Sequence, residues 1–217
     1  LFAKYTLRAD EMFLNRMIGG TFEGSNDPDF REKEVLYLIN EKPKRLQTVV
    51  QSYSSKSYRY VRYIGPKDSH CNIAEAAFYT PNDTASLKGK VIGTPGCFQK
   101  DGSHEYTNVF DGDVTTSFDY IEPSGGWSGL DLGTPKQIGR IVYTPRSYDN
   151  YIRSGDDYEL FYCARRNNWK SLGDQRSKAD SLIYIKIPVN ALLLLCNNTR
   201  GIQERIFVYT AAEQIWK

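Results

Sequence analysis

The chain has 217 residues, 40% of them hydrophobic, 25% charged and 13% aromatic, with 16 Tyr, 10 Phe and 17 Gly. That composition suits one large globular domain or two small ones, and a formal net charge of +2 sets aside a nucleic-acid-coating or polybasic membrane protein. The longest apolar run, Ala191–Cys196, falls far short of the ~20 residues a spanning helix requires, so no membrane span of that kind is expected.

The first residues, Leu1-Phe2-Ala3-Lys4-Tyr5, carry neither an initiator Met nor a signal-peptide pattern, as expected of a mature or trimmed fragment. Gly24-Ser25-Asn26-Asp27-Pro28 is the first strong turn, and Asp29–Lys33 offers at most one helical turn. Ser57–Ile64 alternates Tyr or Val with Arg for most of its length, which predicts a strand with one buried face. Turn formers follow at Gly65–Asp68, Asp111–Asp113, Pro123–Gly126 and Asn197–Gly201. Between and after them, Gly139–Tyr143, Asp157–Tyr162, Ser181–Ile187 and Arg205–Tyr209 are short and β-branched or aromatic. Strands at this spacing predict an all-β sandwich or barrel.

The four Cys (Cys71, Cys97, Cys163 and Cys196) are widely spaced and form no CxxC, which argues against a zinc knuckle or thioredoxin-like site. Three disulfide connectivities remain open, and small buried hydrophobes are the expected alternative. His70 and His104 are too few for a His-based metal centre.

Two segments share anchors. Tyr5-Thr6-Leu7-Arg8 returns as Tyr143-Thr144-Pro145-Arg146, and Glu75–Thr80 returns, with one insertion, as Glu204–Thr210. The order of loops and strands between the anchors also agrees, so the expectation is a repeat: a partial module over 1–80, missing its opening strands, and a complete one over 81–217. Missing strands would leave open edges in the first, either lost from a larger parent or supplied by something else.

The ordered set Phe110–Thr116, Trp127–Gly133, Ile141–Arg146, Tyr158–Tyr162, Trp169 and Glu204–Tyr209 resembles the discoidin, or coagulation-factor type C, domain and its galactose-binding-like relatives among carbohydrate-binding modules. Over 1–80 the resemblance covers the family's later half: Phe22–Asp27, the Tyr58–Tyr63 strand and Asn72–Tyr79. It implies a jelly-roll-like β-sandwich, as in paired modules of secreted or surface proteins of polysaccharide-degrading bacteria. Extracellular, cell-surface or periplasmic placement and other domains of a parent protein follow from the same likeness.

Two sites are expected. Asn108, Asp111, Asp113 and Thr116 crowd hard oxygens into a loop bent at Gly112, the chemistry of a structural Ca²⁺. The resemblance completes it with Glu204, the carboxylate heading the last strand; Glu75 heads its counterpart but, with no such loop in its own segment, is expected to hold no ion. The alternative is an Asx-turn cap, with Glu204 paired to Arg205 or Arg140. The second site is a glycan site. A sugar is gripped by an aromatic face and by planar donors for vicinal hydroxyls, and Pro145–Arg153 carries Arg, Asn and Tyr. The resemblance points to Arg146 and Asn150, with Tyr148, Phe118, Tyr120 and Asn198 around them. The competing assignment makes Arg146 an internal ion pair with Asp149 or Asp156. Met12, Phe13 and Leu14 are expected at a contact between the modules, and Trp127 and Trp169 in the core.

Catalysis is not expected. Adjacent His70 and Cys71 point to opposite faces of an extended chain, no carboxylate pair stands in a recognisable active-site motif, and Gly89–Gly93 lacks P-loop spacing. The sequence therefore reads as a non-catalytic glycan-binding accessory region, with a structural or protein-interaction sandwich as the alternative.

Overall fold

The computed structural model describes the backbone of residues 2–6, 11–43, 47–146, 152–165, 168–179, 181–203, 206–210 and 213–216, and the side chains of 13–43, 47–146, 152–165, 168–179, 181–201 and 206–209. The protein is an all-β sandwich in class. Its elements open with β1 (Phe2–Thr6), the short helix α1 (Glu11–Asn15), β2 (Thr21–Ser25), β3 (Glu34–Leu38), β4 (Thr48–Gln51), β5 (Ser57–Ile64) and β6 (Glu75–Tyr79). There follow β7 (Lys90–Gly93), a 3-10 turn (Tyr106–Phe110), β8 (Trp127–Gln137) and β9 (Arg140–Thr144). The rest comprises β10 (Asp157–Arg165), β11 (Asn168–Arg176), β12 (Ser181–Ile185), β13 (Leu193–Asn197), β14 (Ile202–Gln203), β15 (Phe207–Thr210) and β16 (Glu213–Trp216). Among the described residues no helix is long and apolar enough to cross a membrane.

The chain divides into two compact units, Ala9–Asp149 and Leu1–Arg8 with Asn150–Lys217. In the larger, an antiparallel five-stranded sheet of order β3-β2-β5-β8-β7 accompanies a three-stranded sheet of order β4-β9-β6. Phe22 joins them: its ring lies 5.1 Å from that of Tyr63 in its own sheet, and 6.0 Å and 5.4 Å from those of Phe78 and Tyr143 in the other. All four are buried, with Val61, Leu130 and Ile141, in one core. The strand expected at Ser57–Ile64 is β5 with those bounds, at the centre of its sheet between β2 and β8. Gly24 of β2 is required by close approach, since a Cβ there would stand 2.6 Å from the Tyr58 ring.

The boundary expected after residue 80 falls inside this unit. Front-segment strands β5 and β6 pair with β8 and β9 of the rear segment. The physical reason is the open edges: β2–β6 alone would leave strand edges unpaired, and residues downstream close them. The Tyr-Thr anchors part company as well, Tyr5-Thr6 pairing with β12 and Tyr143-Thr144 with β6.

The outward face of β5 departs from simple alternation. Arg62 stands directly across from Glu23 and is only 8% exposed. Its guanidinium pairs with Glu23 at 2.7 Å and lies 4.1 Å from the Phe30 ring centre and 5.2 Å from that of Trp127. Trp127 is thus half-buried on an arginine rather than in the core. Phe30 takes φ 53, which breaks the helical turn expected at Asp29–Lys33; α1 holds the helical residues instead.

The smaller unit carries a sheet of order β11-β10-β13-β15-β16, with β14 on β13, and the two-stranded pair β1-β12. Tyr158, Leu160, Leu182, Tyr184, Leu193, Leu195 and Phe207 are buried in its own core. Cys71, Cys97 and Cys163 are free thiols, the first two buried and the third partly so.

Candidate functional site

In the larger unit, a chain of contacts from four segments centres on Asp119. Asn72 donates to Asp119 Oδ1 at 2.6 Å, Arg16 donates to Asn72 Oδ1 at 2.7 Å, and Arg146 pairs with Asp119 Oδ2. The Arg146 guanidinium also lies 4.8 Å from the ring centre of Phe13. The internal ion-pair assignment for Arg146 therefore holds in kind, with Asp119 as a partner; Asp149 lies outside the described residues, and Asp156 pairs with Arg200 at 2.7 Å in the other unit. Phe13, expected at a contact between modules, does meet the rear segment, but inside one body.

The neighbouring backbone is strained. Asp68, His70 and Cys71 all take φ between 52° and 58°, the left-handed region that non-glycine residues rarely adopt and that clusters at functional sites. The loop is pinned to the Phe118–Tyr120 segment by Tyr120 N–H donating to His70 O at 2.7 Å and by His70 Nδ1 at 3.0 Å from Tyr120 O.

The expected sugar residues fare differently. Arg146 is 8% exposed and Phe118 is fully buried, part of the core rather than a wall. Tyr120 is half-buried, its ring 6.0 Å from that of Phe118. Asn198 belongs to the other unit, where it donates to Glu159. Tyr148 and Asn150 lie outside the described residues. What the sequence reading passed over is Asp119, set between two residues it did single out, along with Asn72 and Arg16, whose roles depend on contacts 47 and 56 positions away.

The Asp111 loop is an Asx-turn built on itself. Asp113 N–H donates to Asp111 Oδ1 at 2.7 Å, Thr115 N–H to Asp113 Oδ1 at 2.9 Å, and Thr116 Oγ1 to Asp111 Oδ2 at 2.8 Å. The Asn108 amide is turned inward, donating to Ser103 O and Ser117 O. The carboxylate on this loop is Glu75, which accepts from Gly112 N–H at 2.8 Å. That overturns the expectation that Glu75 lacks a loop: β6 pairs with β9 and delivers it to one from the rear segment. Glu204 lies outside the described residues, and its position falls in the other unit. Burial, then the neighbouring Asp111, pushes the Glu75 carboxyl up to about 8. An all-oxygen set with two facing carboxylates suits a hard divalent cation in kind. Among the described residues no three carboxylates, histidines or cysteines gather as a metal shell.

None of the family models, curated proteins or solved structures compared with the chain matches it.

Proposed function

We propose that the chain is a non-catalytic, glycan-binding accessory region of a larger secreted or surface protein, built on a jelly-roll-like sandwich of the discoidin kind. In this reading Ala9–Asp149 is a permuted module: β2, β5 and β6, whose sequences resemble the family's later half, share one unit with β8 and β9, whose sequences resemble earlier parts of it. One observation carries the ligand assignment. The Arg146 guanidinium is fixed by Asp119 and the Phe13 ring, with the half-buried Arg16 linked to Asp119 through Asn72 and the half-buried Tyr120, next to Asp119 in the chain, bonded to His70. Planar donors held over aromatic carbon are what vicinal sugar hydroxyls require.

A structural Ca²⁺ belongs to the same proposal. Asp111 and Glu75 would hold it, with oxygens of Asn108, Asp113 and Thr116. Its contribution would be to neutralise two facing carboxylates and lock the loop to β6.

The test is a glycan array with and without chelator, followed by calorimetry of wild type, Arg16→Ala and Tyr120→Ala. These two side chains are half-buried, so the variants are expected to stay folded while affinity drops at least about tenfold. If wild type binds no array member, the second reading stands in its place: a structural or protein-interaction sandwich, favoured by the near-complete burial of Arg146 and Phe118.

A further inference from the structure

A loop downstream of β7 is built onto the backbone of Asp119. Phe98 N–H donates to Asp119 O at 2.9 Å and Asp119 N–H donates to His104 O at 3.1 Å, so both ends of residues 98–104 are clamped to one residue. Between its ends the loop closes on itself. Lys100 N–H donates to Cys97 O at 3.0 Å, and the Asp101 carboxylate accepts from Ser103 N–H at 2.9 Å and from Ser103 Oγ at 2.6 Å. Cys97 faces Tyr120 across an antiparallel bridge and is 1% exposed, whereas the next residue, Phe98, is 59% exposed. A tightly bonded loop thus holds a large aromatic side chain in water, outside the core and across from Asp119.

On the other side of Asp119 stands Asn72, next to the Ile73–Phe118 bridge and bonded to the Asp119 carboxylate. Asn72, Asp119 and Phe98 therefore form a row over three adjacent segments. Two strand spacings, about 10 Å, separate its ends, a span that one pyranose and its substituents bridge. Arg16 is anchored at the Asn72 end. It donates to that fully buried amide, and its guanidinium lies 5.9 Å from the Phe13 ring centre. Arg59, Arg62 and Arg146 each stand on an acid, whereas among the described residues the half-buried Arg16 pairs with no carboxylate. A guanidinium positioned by a buried amide favours an anionic group, and its planar fork matches a carboxylate or a sulfate.

We infer that this row takes an acidic sugar, a pyranose carrying a carboxylate or a sulfate, with its C–H face on Phe98 and its anionic group on Arg16. The inference rests on the glycan-binding reading above and adds to it a ligand class and a contact residue, Phe98. The division of labour follows from what each side chain has to offer. Phe98 carries no polar atom, so its ring can hold only the apolar face of a sugar. Asn72 and Asp119 are engaged with one another and with the two arginines, so they position rather than touch the ligand. Arg16 is left to read charge.

The experiment is calorimetry of the full chain with galacturonate, glucuronate, a sulfated galactose and methyl β-galactoside, and with acetate and inorganic sulfate as the anions alone. At least one acidic sugar is expected to bind at least about tenfold more tightly than the neutral sugar and than either free anion. Which acidic sugar is preferred tells carboxylate from sulfate. Phe98→Ala, at a mostly exposed position, should leave the chain folded and weaken acidic and neutral sugars alike by at least about tenfold. Arg16→Gln should bring the acidic sugar down to the affinity of the neutral one. Equal affinity for neutral and acidic sugars would overturn the inference and leave the glycan-binding reading standing. So would a preference that survives Arg16→Gln, or sugar binding that Phe98→Ala does not change. Acetate or sulfate binding as tightly as the acidic sugars would overturn it as well, because the ring would then contribute nothing. No binding of any sugar would count against both the inference and that reading.

Discussion

The larger unit buries two acidic side chains in opposite ways. Glu23 on β2 is 4% exposed and answered twice, by Arg62 at 2.7 Å and Lys33 at 2.9 Å. Glu75 on β6 is partly buried, accepts one backbone N–H, and faces Asp111, another carboxylate. Both strands are short and antiparallel, and both carboxylates would lose hydration on folding. The first pairing is self-sufficient within the protein. The second leaves like charges facing one another, and such an arrangement is stable only with a proton or a cation between them. The contrast separates a satisfied ion pair from a like-charge contact.

The largest expected effect comes from unbalancing the finished pair. Arg62→Ala would strand Glu23 with Lys33 alone and uncover Phe30 and Trp127, a loss of about 3 kcal/mol in a denaturant melt. An unchanged midpoint would mean that Glu23 is hydrated and the pair incidental.

The next prediction concerns pH. Glu75 titrates near 8 in the folded chain against 4.5 unfolded, so its contribution is fully present below pH 4.5 and is lost as pH rises through 8. In chelator, wild type should therefore lose stability between pH 5 and pH 9 relative to Glu75→Gln. The two should nearly coincide at pH 5, where the wild-type carboxyl is itself neutral. Parallel melting curves across the range would remove the like-charge contact from the account.

The smallest effect is reserved for Arg59–Asp131, a two-pronged pair at 2.8 Å and 2.9 Å on the same sheet but more open to solvent. Asp131→Asn should leave the melting temperature within the scatter of repeat scans at physiological salt. A clear drop would show that exposure does not divide these pairs as argued.

Much of the fold was legible in the sequence where the signal is local. The Tyr/Val–Arg alternation fixed β5 to the residue, and turn formers placed the β9, β10 and β12 regions to within a few residues. Pairing was not legible: β5 meets β8 across more than sixty residues, and no local pattern specifies which edge closes which. That non-local choice is why the break was expected after residue 80 and why Glu75 was separated from its loop. At the candidate site, Arg146 was visible from its motif, but its partner Asp119 was not, because a lone Asp between Phe118 and Tyr120 reads like any turn-flanking acid.

Within Ala9–Asp149, strands from before and after residue 80 pair into one unit and bring Glu75 onto the Asp111 loop, the two carboxylates proposed to hold a cation. The direct measurement is the calcium dependence of the melting temperature at pH 8 for wild type, Glu75→Gln and Glu204→Gln. Calcium is expected to raise the melting temperature of wild type and Glu204→Gln alike and to leave Glu75→Gln unmoved. A response lost with Glu204 and kept without Glu75, or absent from wild type altogether, would contradict it.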